Sequence, residues 1–337
     1  MLPHKVDCYF SIKNTVKMML LNKYNYLQIN NDNFGNSIIQ KKLYNNKIKN
    51  ISVYTTMKEI KNINHLCKLK SLAIFDNSKI TNYNFKKTTK IVKLFCYNTN
   101  KIKNINHLCK LKELRCEYSG IDQNGIKKLM QIVKLFCCEN EKIKNVNHLH
   151  NLKELYCARN SGIDTNGIRK LTQITKLVCS DNKKIKDINH LYNLRELFCN
   201  FKSGIDQVGI KNLIKIQRLC CINNKFIIDV NHLCNLKKLI CRSNSGIDQF
   251  GIRNLGKIIG LDCNDNKKIS NVNHLCKLRI LYCINNSSID QNGIQYLTTI
   301  TKLDCNSNKK ITNIDHLCNL KELYCQHIKL TNKFDLK

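Results

Sequence analysis

Cysteine and histidine are the residues of this chain whose types and spacing could support chemistry. The chain of 337 residues contains 20 cysteines and 10 histidines. Seven histidines stand before leucine, 42 residues apart and once 41, and five of these His-Leu pairs are followed by cysteine. Thiolate and imidazole are zinc ligands, but equivalent positions two repeats apart lie about 10 Å from each other. We therefore predict a turn or cap role for these histidines and no metal site.

Twelve other cysteines each stand two residues after a leucine. They are Cys96, Cys116, Cys137, Cys157, Cys179, Cys199, Cys221, Cys241, Cys263, Cys283, Cys305 and Cys325. A buried cysteine behaves as a small apolar residue with a weak S–H donor, and a thiol in an apolar wall is inert. We interpret the twelve as a structural ladder in the core, with metal binding and redox sensing as the alternatives. Cys138 and Cys220, beside this ladder, are expected to be the exposed thiols.

These cysteines belong to an internal repeat that covers about residues 60–328. Its unit is L-x-x-L-x-C-x-x-N-x-x-I, and thirteen units of two alternating kinds follow one another, for example NLKELYCARNSGID (151–164) and QITKLVCSDNKKIK (173–186). The pattern resembles the leucine-rich repeat, and in particular an internalin-like, cysteine-rich variant. The resemblance implies an α/β fold: a right-handed horseshoe solenoid with a parallel β-sheet on the concave face and an extended or short-helical convex side.

The asparagine of the unit is expected to form a second ladder. Its amide can satisfy backbone groups where the chain leaves the sheet, which would otherwise be costly. The predicted members are Asn140, Asn160, Asn182, Asn224, Asn244, Asn266, Asn286 and Asn308. The unit around Cys116 has lost one residue together with its asparagine, so we expect a distorted turn there.

The outward strand positions give the candidate binding surface, because they line the concave face of a solenoid. The candidate partner-binding residues are Phe95, Arg115, Phe136, Tyr156, Phe198, Asp262, Tyr282, Asp304 and Tyr324. Exposed aromatic residues often mark partner sites, which favours a non-enzymatic scaffold for protein–protein interaction. The alternative is mutual packing of cross-strand neighbours. One position earlier, opposite charges alternate along the repeats from Lys93 to Arg218, which predicts exposed ion pairs.

A net charge of +33 favours acidic partners. Lysines recur after the asparagine in every second unit, at Lys101, Lys103, Lys142, Lys144, Lys183, Lys184, Lys186, Lys267, Lys268, Lys309 and Lys310. Such a row could follow phosphates, so nucleic-acid binding along a basic edge is one alternative function. AT-rich codon usage is the other explanation of the lysines.

The chain lacks G-x-S-x-G, a phosphate-binding glycine loop and H-E-x-x-H. We predict no enzyme, no catalytic residue and no cofactor.

Three segments are predicted: residues 1–58 as an N-terminal cap, 59–328 as the repeats and 329–337 as a tail. Residues 2–29 begin with Leu-Pro and faintly resemble an F-box, which implies an alternative function as a substrate adaptor for ubiquitin ligation, with the ligase adaptor as partner. Without a run of about 18 apolar residues or the features of a secretion signal, we expect no membrane partner and a cytoplasmic protein. The composition resembles that of amoebal giant viruses and AT-rich protists, which would place the protein in the host cytoplasm.

Overall fold

The structure is a computed structural model that describes residues 26–28, 50–53, 62–76 and 79–328, the first two ranges by their backbone alone. The chain divides into two compact units, residues 1–170 and 171–337. Each unit is built from short strands that succeed one another along the chain and pair in parallel. No helix of the described residues has the length and apolar character needed to cross a membrane.

The strands of the first unit form one parallel ladder in chain order. They are β1 (Tyr26–Gln28), β2 (Asn50–Val53), β3 (Ser71–Phe75), β4 (Lys93–Tyr97), β5 (Glu113–Arg115), β6 (Lys134–Phe136) and β7 (Glu154–Tyr156). The register places leucine opposite leucine, as in Leu94 against Leu114. Since β1 pairs with β2 and β2 with β3, the ladder begins within the segment that the sequence assigned to a cap without repeats.

The strands of the second unit repeat this arrangement. They are β8 (Lys176–Val178), β9 (Glu196–Phe198), β10 (Arg218–Cys220), β11 (Lys238–Ile240), β12 (Gly260–Asp262), β13 (Ile280–Tyr282), β14 (Lys302–Asp304) and β15 (Glu322–Tyr324). The pairing again sets leucine against leucine, for example Leu219 against Leu239. Each of the thirteen predicted repeats thus supplies one strand, β3 to β15, and the predicted parallel-sheet solenoid is confirmed.

Short helical turns lie between the strands, as the 20–22-residue repeat length predicts. The first unit has 3₁₀ turns at Asn82–Phe85, Asn124–Ile126 and Asn166–Ile168, and the second at Val208–Ile210 and Phe250–Ile252, followed by the one-turn helix α1 (Gln291–Ile294). In all of these turns except Asn82–Phe85, a glycine allows adjacent coils to approach. A Cβ on Gly251 would lie 2.1 Å from the carbonyl oxygen of Ile228 in the preceding coil, a distance that no side chain could occupy.

A residue with positive φ turns the chain off the sheet after the strands of β3–β14. These residues are Asp76, Asn98, Tyr118, Glu139, Arg159, Asp181, Phe201, Asn223, Ser243, Asp265, Asn285 and Ser307, with φ between 48° and 61°. Tyr118, with φ of 53°, belongs to the unit that has lost one residue. Tyr118 therefore keeps the conformation of its equivalents. The turn differs after the lost position, because Ser119 N donates to the carbonyl oxygen of Cys116 itself, whereas Ser203 N donates to Asn200, the residue after the column cysteine.

Candidate partner-binding surface

The cysteine column faces inward, where the strand alternation places it. Eleven of its members, from Cys96 to Cys305, have a fully buried side chain. Several of these thiols donate a hydrogen bond to a carbonyl oxygen of the next strand, as Cys116 does to Phe136 at 3.4 Å and Cys263 to Tyr282 at 3.5 Å. Cysteine therefore supplies what leucine cannot at this position, a weak donor to the neighbouring backbone.

Burial also sets the chemistry of these thiols. It raises the pKa of Cys179, Cys221 and Cys263 to about 12, since the thiolate would lose its hydration. Burial also raises the pKa of Cys199 and Cys283 well above its ordinary value. The thiol, and not the nucleophilic thiolate, is therefore the form of these side chains at neutral pH.

The expectation that Cys138 and Cys220 are exposed is wrong. Both side chains are 3% exposed. Cys220 lies between Phe198 and Ile240 on the adjacent strands, and Cys138, which follows β6, accepts a hydrogen bond from Ala158 N at 3.4 Å. Among the described cysteines, the exposed thiols are instead those of the His-Leu-Cys turns, at Cys67, Cys109, Cys234, Cys276 and Cys318.

Only every second repeat uses asparagine as the buried turn residue. The buried members are Asn140, Asn182, Asn224, Asn266 and Asn308. In one example, Asn266 Nδ2 donates to the carbonyl oxygens of Cys241 at 2.9 Å and Ile247 at 3.2 Å, while its Oδ1 accepts from Lys268 N at 2.8 Å. One side chain thus closes three backbone groups on two coils.

The prediction is wrong for Asn160, Asn244 and Asn286, which are exposed. In the intervening repeats the next residue, serine, is buried in their place, as Ser119, Ser161, Ser203, Ser245 and Ser287. Ser119 Oγ donates to Cys116 O at 2.9 Å. In all but one of these turns a glycine follows the serine, and the backbone there lies close to the preceding coil. The short serine side chain fits this narrower space.

The histidines of the His-Leu turns cap the helical turn of the preceding repeat. The Nε2 atoms of His148, His232 and His316 lie 3.1, 3.1 and 2.9 Å from the carbonyl oxygens of Ile126, Ile210 and Ile294. Burial lowers the pKa of His148, which keeps the ring neutral. Among the described residues, no three His, Cys, Asp or Glu side chains converge as a metal site.

We call the outward strand positions before and after the inward leucine the strand face of each unit. In the first unit, the guanidinium of Arg115 lies between two rings, 5.3 Å from the centroid of Phe95 and 3.9 Å from that of Phe136. Phe136 stacks on Tyr156 with centroids 4.0 Å apart. Phe95 and Phe136 are 4% and 5% exposed and Tyr156 is half-buried, so the two phenylalanines pack against their cross-strand neighbours and Tyr156 is the accessible ring.

The strand face of the second unit is more open. Phe198 is half-buried, with Arg218 Cζ 4.9 Å and Lys176 Nζ 5.3 Å from its ring centroid. Tyr282 and Asp304 are half-buried, and Tyr324 is 47% exposed.

Cations lie over or beside the rings of this second column. Lys302 Nζ lies 6.0 and 5.0 Å from the ring centroids of Tyr282 and Tyr324. Asp262 is buried and accepts from Arg242, whose Nε lies 2.8 Å from both carboxylate oxygens. Glu322 holds Lys302 Nζ at 2.5 Å, so the cation beside the Tyr282 and Tyr324 rings is fixed.

The charged residues that directly precede the inward leucines form ion pairs between adjacent strands, as the sequence predicted. Lys93 pairs with Glu113 at 3.5 Å and Lys134 with Glu154 at 2.6 Å in the first unit. Lys176 pairs with Glu196 at 3.2 Å in the second. Such pairs contribute about 0–1 kcal/mol each, and the pair with Glu196 also fixes Lys176 beside the Phe198 ring.

The lysines of the predicted basic edge are exposed in both units, from Lys101 to Lys310. Some of them also close the turn beside them: Lys142 Nζ lies 3.5 Å from Ser119 O, and Lys310 Nζ lies 3.2 Å from Ser287 O. The F-box-like segment, residues 2–29, lies outside the described side chains.

This geometry defines a leucine-rich-repeat solenoid, and comparison with solved structures agrees. The chain is similar to the functional domain of InlJ from Listeria monocytogenes, with 22% identity and a TM-score of 0.61 over 85% of this chain. It is also similar to the internalin InlF of that organism (18%, 0.52, 84% of this chain and 88% of that one) and to a leucine-rich-repeat protein of Leptospira interrogans (17%, 0.51, 91% and 96%). No family model and no curated protein matches the chain.

The chain has the leucine-rich-repeat fold, in the form whose third leucine is replaced by cysteine. The InlJ domain likewise includes a cysteine ladder, and this chain spans 64% of that domain's length.

Proposed function

We propose that the protein is a non-enzymatic scaffold that binds an acidic protein partner through its strand face. The outward rings differ in burial: Phe95 and Phe136 pack into the core, while Tyr282 and Tyr324 remain accessible. The observation that carries the proposal is the placement of Lys302, held by Glu322, beside the accessible rings of Tyr282 and Tyr324. Aromatic and arginine side chains dominate binding energy at protein interfaces, and side chains already held in place lose little freedom on binding.

Charge supports an acidic partner. The chain carries a net charge of +33, which attracts anionic surfaces and repels a second copy of itself. We also propose a reducing, cytoplasmic location, in which the thiols of the column would stay reduced.

Two tyrosines of the second unit test this proposal. Tyr282 lies on the strand face, half-buried, whereas Tyr296 follows α1 on another side of the coil and is 71% exposed. A partner captured from cytoplasmic extract and purified should bind Tyr282→Ala at least about thirtyfold more weakly, the effect of a hot spot of roughly 2 kcal/mol. Tyr296→Ala should bind like the wild type. Equal affinities for both variants would contradict the use of the strand face.

Nucleic-acid binding is the second candidate, favoured by the exposure of the lysine row. It predicts that affinity for a nucleic acid falls steeply with salt, since each phosphate contact releases counterions. Replacement of Lys183, Lys184 and Lys186 by glutamine should then weaken binding, and binding that is absent or insensitive to salt removes this candidate. The ubiquitin-ligation alternative predicts that the full-length chain binds the ligase adaptor, and a negative pull-down removes it.

A further inference from the structure

The last cysteine of the column, Cys325, has a different hydrogen-bond environment from Cys116 and Cys263. Within the column, each thiol whose hydrogen bond is given above donates to a carbonyl oxygen of the next strand. Cys325 follows β15, beyond which the described residues contain no further strand, and its side chain is only half-buried. No described strand therefore offers its S–H group a carbonyl oxygen.

His327 supplies an acceptor for this group. Cys325 Sγ lies 3.3 Å from His327 Nδ1, and His327 Nε2 lies 2.9 Å from the carbonyl oxygen of Ile311. A carbonyl oxygen can only accept, so Nε2 carries the ring proton and Nδ1 has a free lone pair for the thiol proton. A nucleophile, a base in contact with it and a group that orients the base are the arrangement that activates cysteine.

A second thiol lies beside the first. The register pairs Asp304 with Tyr324, so the residues that follow, Cys305 and Cys325, are neighbours on adjacent strands. Their side chains hydrogen-bond each other. Parallel strands lie about 4.8 Å apart, within the Cα separation of about 4.4–6.8 Å that a disulfide requires.

We propose that Cys325, His327 and Cys305 form a peroxide-reactive dithiol site at the end of the cysteine column. His327 Nδ1 takes the Cys325 proton, and the thiolate attacks a peroxide oxygen. The S–O bond forms, the O–O bond breaks, and the leaving hydroxide takes the proton from His327 as water. Cys305 sulfur then attacks the sulfenic sulfur: the S–S bond forms, the S–O bond breaks, and the hydroxide leaves with the Cys305 proton as water. Two thiols and one hydrogen peroxide give one disulfide and two waters.

The site differs from the rest of the column in its access and its base. Cys263 and Cys283 are equally close neighbours in register, but both are fully buried and the S–H of Cys263 goes to Tyr282 O. The disulfide between Cys305 and Cys325 would join β15 covalently to β14 and stabilise the last coil against fraying.

Peptide mapping of the intact, folded chain tests the proposal. The protein is treated with one equivalent of hydrogen peroxide, its free thiols are blocked, and it is digested under non-reducing conditions for mass spectrometry. The expected result is a Cys305–Cys325 cross-link with Cys263 and Cys283 still reduced. Oxidation that spares Cys325, or that reaches the Cys263–Cys283 pair at the same rate, overturns the proposal.

Three variants separate the roles of the residues. His327→Gln should slow peroxide oxidation of Cys325 by at least about tenfold, the lower range for loss of a general base. His316→Gln, which removes a histidine that also bonds a backbone carbonyl, should leave that rate unchanged. Cys305→Ser should stop the reaction at the sulfenic acid, which dimedone traps. A wild-type rate in His327→Gln, or no trapped sulfenic acid in Cys305→Ser with native circular dichroism, contradicts the assigned roles.

Discussion

Replacing Asn266 by alanine should remove the bonds that hold two coils of the second unit together. Its amide is fully buried and bonds three backbone groups at 2.8–3.2 Å. The carbonyl oxygens of Cys241 and Ile247 would lose a partner in the interior. The exposed Lys268 could satisfy its N–H with water. Each lost buried hydrogen bond costs roughly 1 kcal/mol, and the two carbonyl groups left without a partner add a desolvation penalty. The free energy of unfolding should therefore fall by about 2–4 kcal/mol.

Asn244→Ala is the matched control. The repeat pattern gives Asn244 and Asn266 the same place in the unit, but Asn244 is exposed and only its backbone N–H bonds, to Asn223 Oδ1 at 3.1 Å. That bond survives the substitution. The expected change in the free energy of unfolding is within about 0.5 kcal/mol of zero.

Urea unfolding of the full chain, followed by circular dichroism, measures the difference, and native-state hydrogen exchange localises it. Because each coil contacts only its neighbours, Asn266→Ala should lose protection in the coils on either side of residue 266 and not at the far end of the unit. Equal destabilisation by Asn244→Ala and Asn266→Ala would refute the reasoning that alternate repeats use different turn residues.

Three further substitutions follow from the same geometry. The Cβ of Gly251→Ala would lie 2.1 Å from Ile228 O, so this variant should lose about 1–3 kcal/mol or more of unfolding free energy. Gly256→Ala, with no atom within 4 Å of its Cβ, should lose almost none. Equal melting temperatures for the two variants would contradict this. Ser307 is exposed at φ 61°, so Ser307→Gly should raise stability by about 0.5–1 kcal/mol in urea unfolding, and a loss would count against it. Burial raises the pKa of Glu117 from 4.5 to about 7, so the folded form binds this proton more tightly and stability is lost as pH rises from 4.5 to 7. Glu117→Gln should flatten that slope in thermal scans, and an unchanged slope would exclude Glu117 as its source.

The fold was predictable because the spacing of leucine and cysteine within each repeat determines the register of the strands. A leucine and a cysteine two residues apart must face the same side of a strand, and their recurrence every 20–22 residues places each strand beside the last. The inward position of Cys199 and the outward position of Phe198 follow from that spacing alone. The two N-terminal strands, around Leu27 and Ile51, were missed because their segments lack the leucine–cysteine spacing.

The turns were harder to predict because their outcome depends on tertiary fit. In Asn-Ser-Gly-Ile, either Asn160 or Ser161 could be buried, and the choice depends on how closely the following coil approaches, which the glycine permits. Cys138 and Cys220 were predicted to be exposed because they lie outside the inward column. Cross-strand neighbours bury Cys220, and the next coil buries Cys138 through Ala158, so their burial depends on neighbouring coils and not on the repeat unit itself.

The site around Cys325 carried almost no signal in the sequence. Leu323 and Cys325 repeat the same spacing as every other unit, and only the break after Cys325, where Gln-His-Ile replaces the usual turn, distinguishes it. The role of His327 depends on its contacts with Cys325 and with the carbonyl oxygen of Ile311, which the sequence does not reveal.

Thiol labelling of the native chain tests the column arrangement most directly. Iodoacetamide is added to the folded protein and each cysteine is quantified by mass spectrometry. The exposed thiols of Cys234 and Cys276 should be modified rapidly, while Cys199 and Cys221, fully buried in the column, should react only after denaturation. Modification of Cys199 and Cys221 at the rate of Cys234 would contradict the inward column on which the whole account depends.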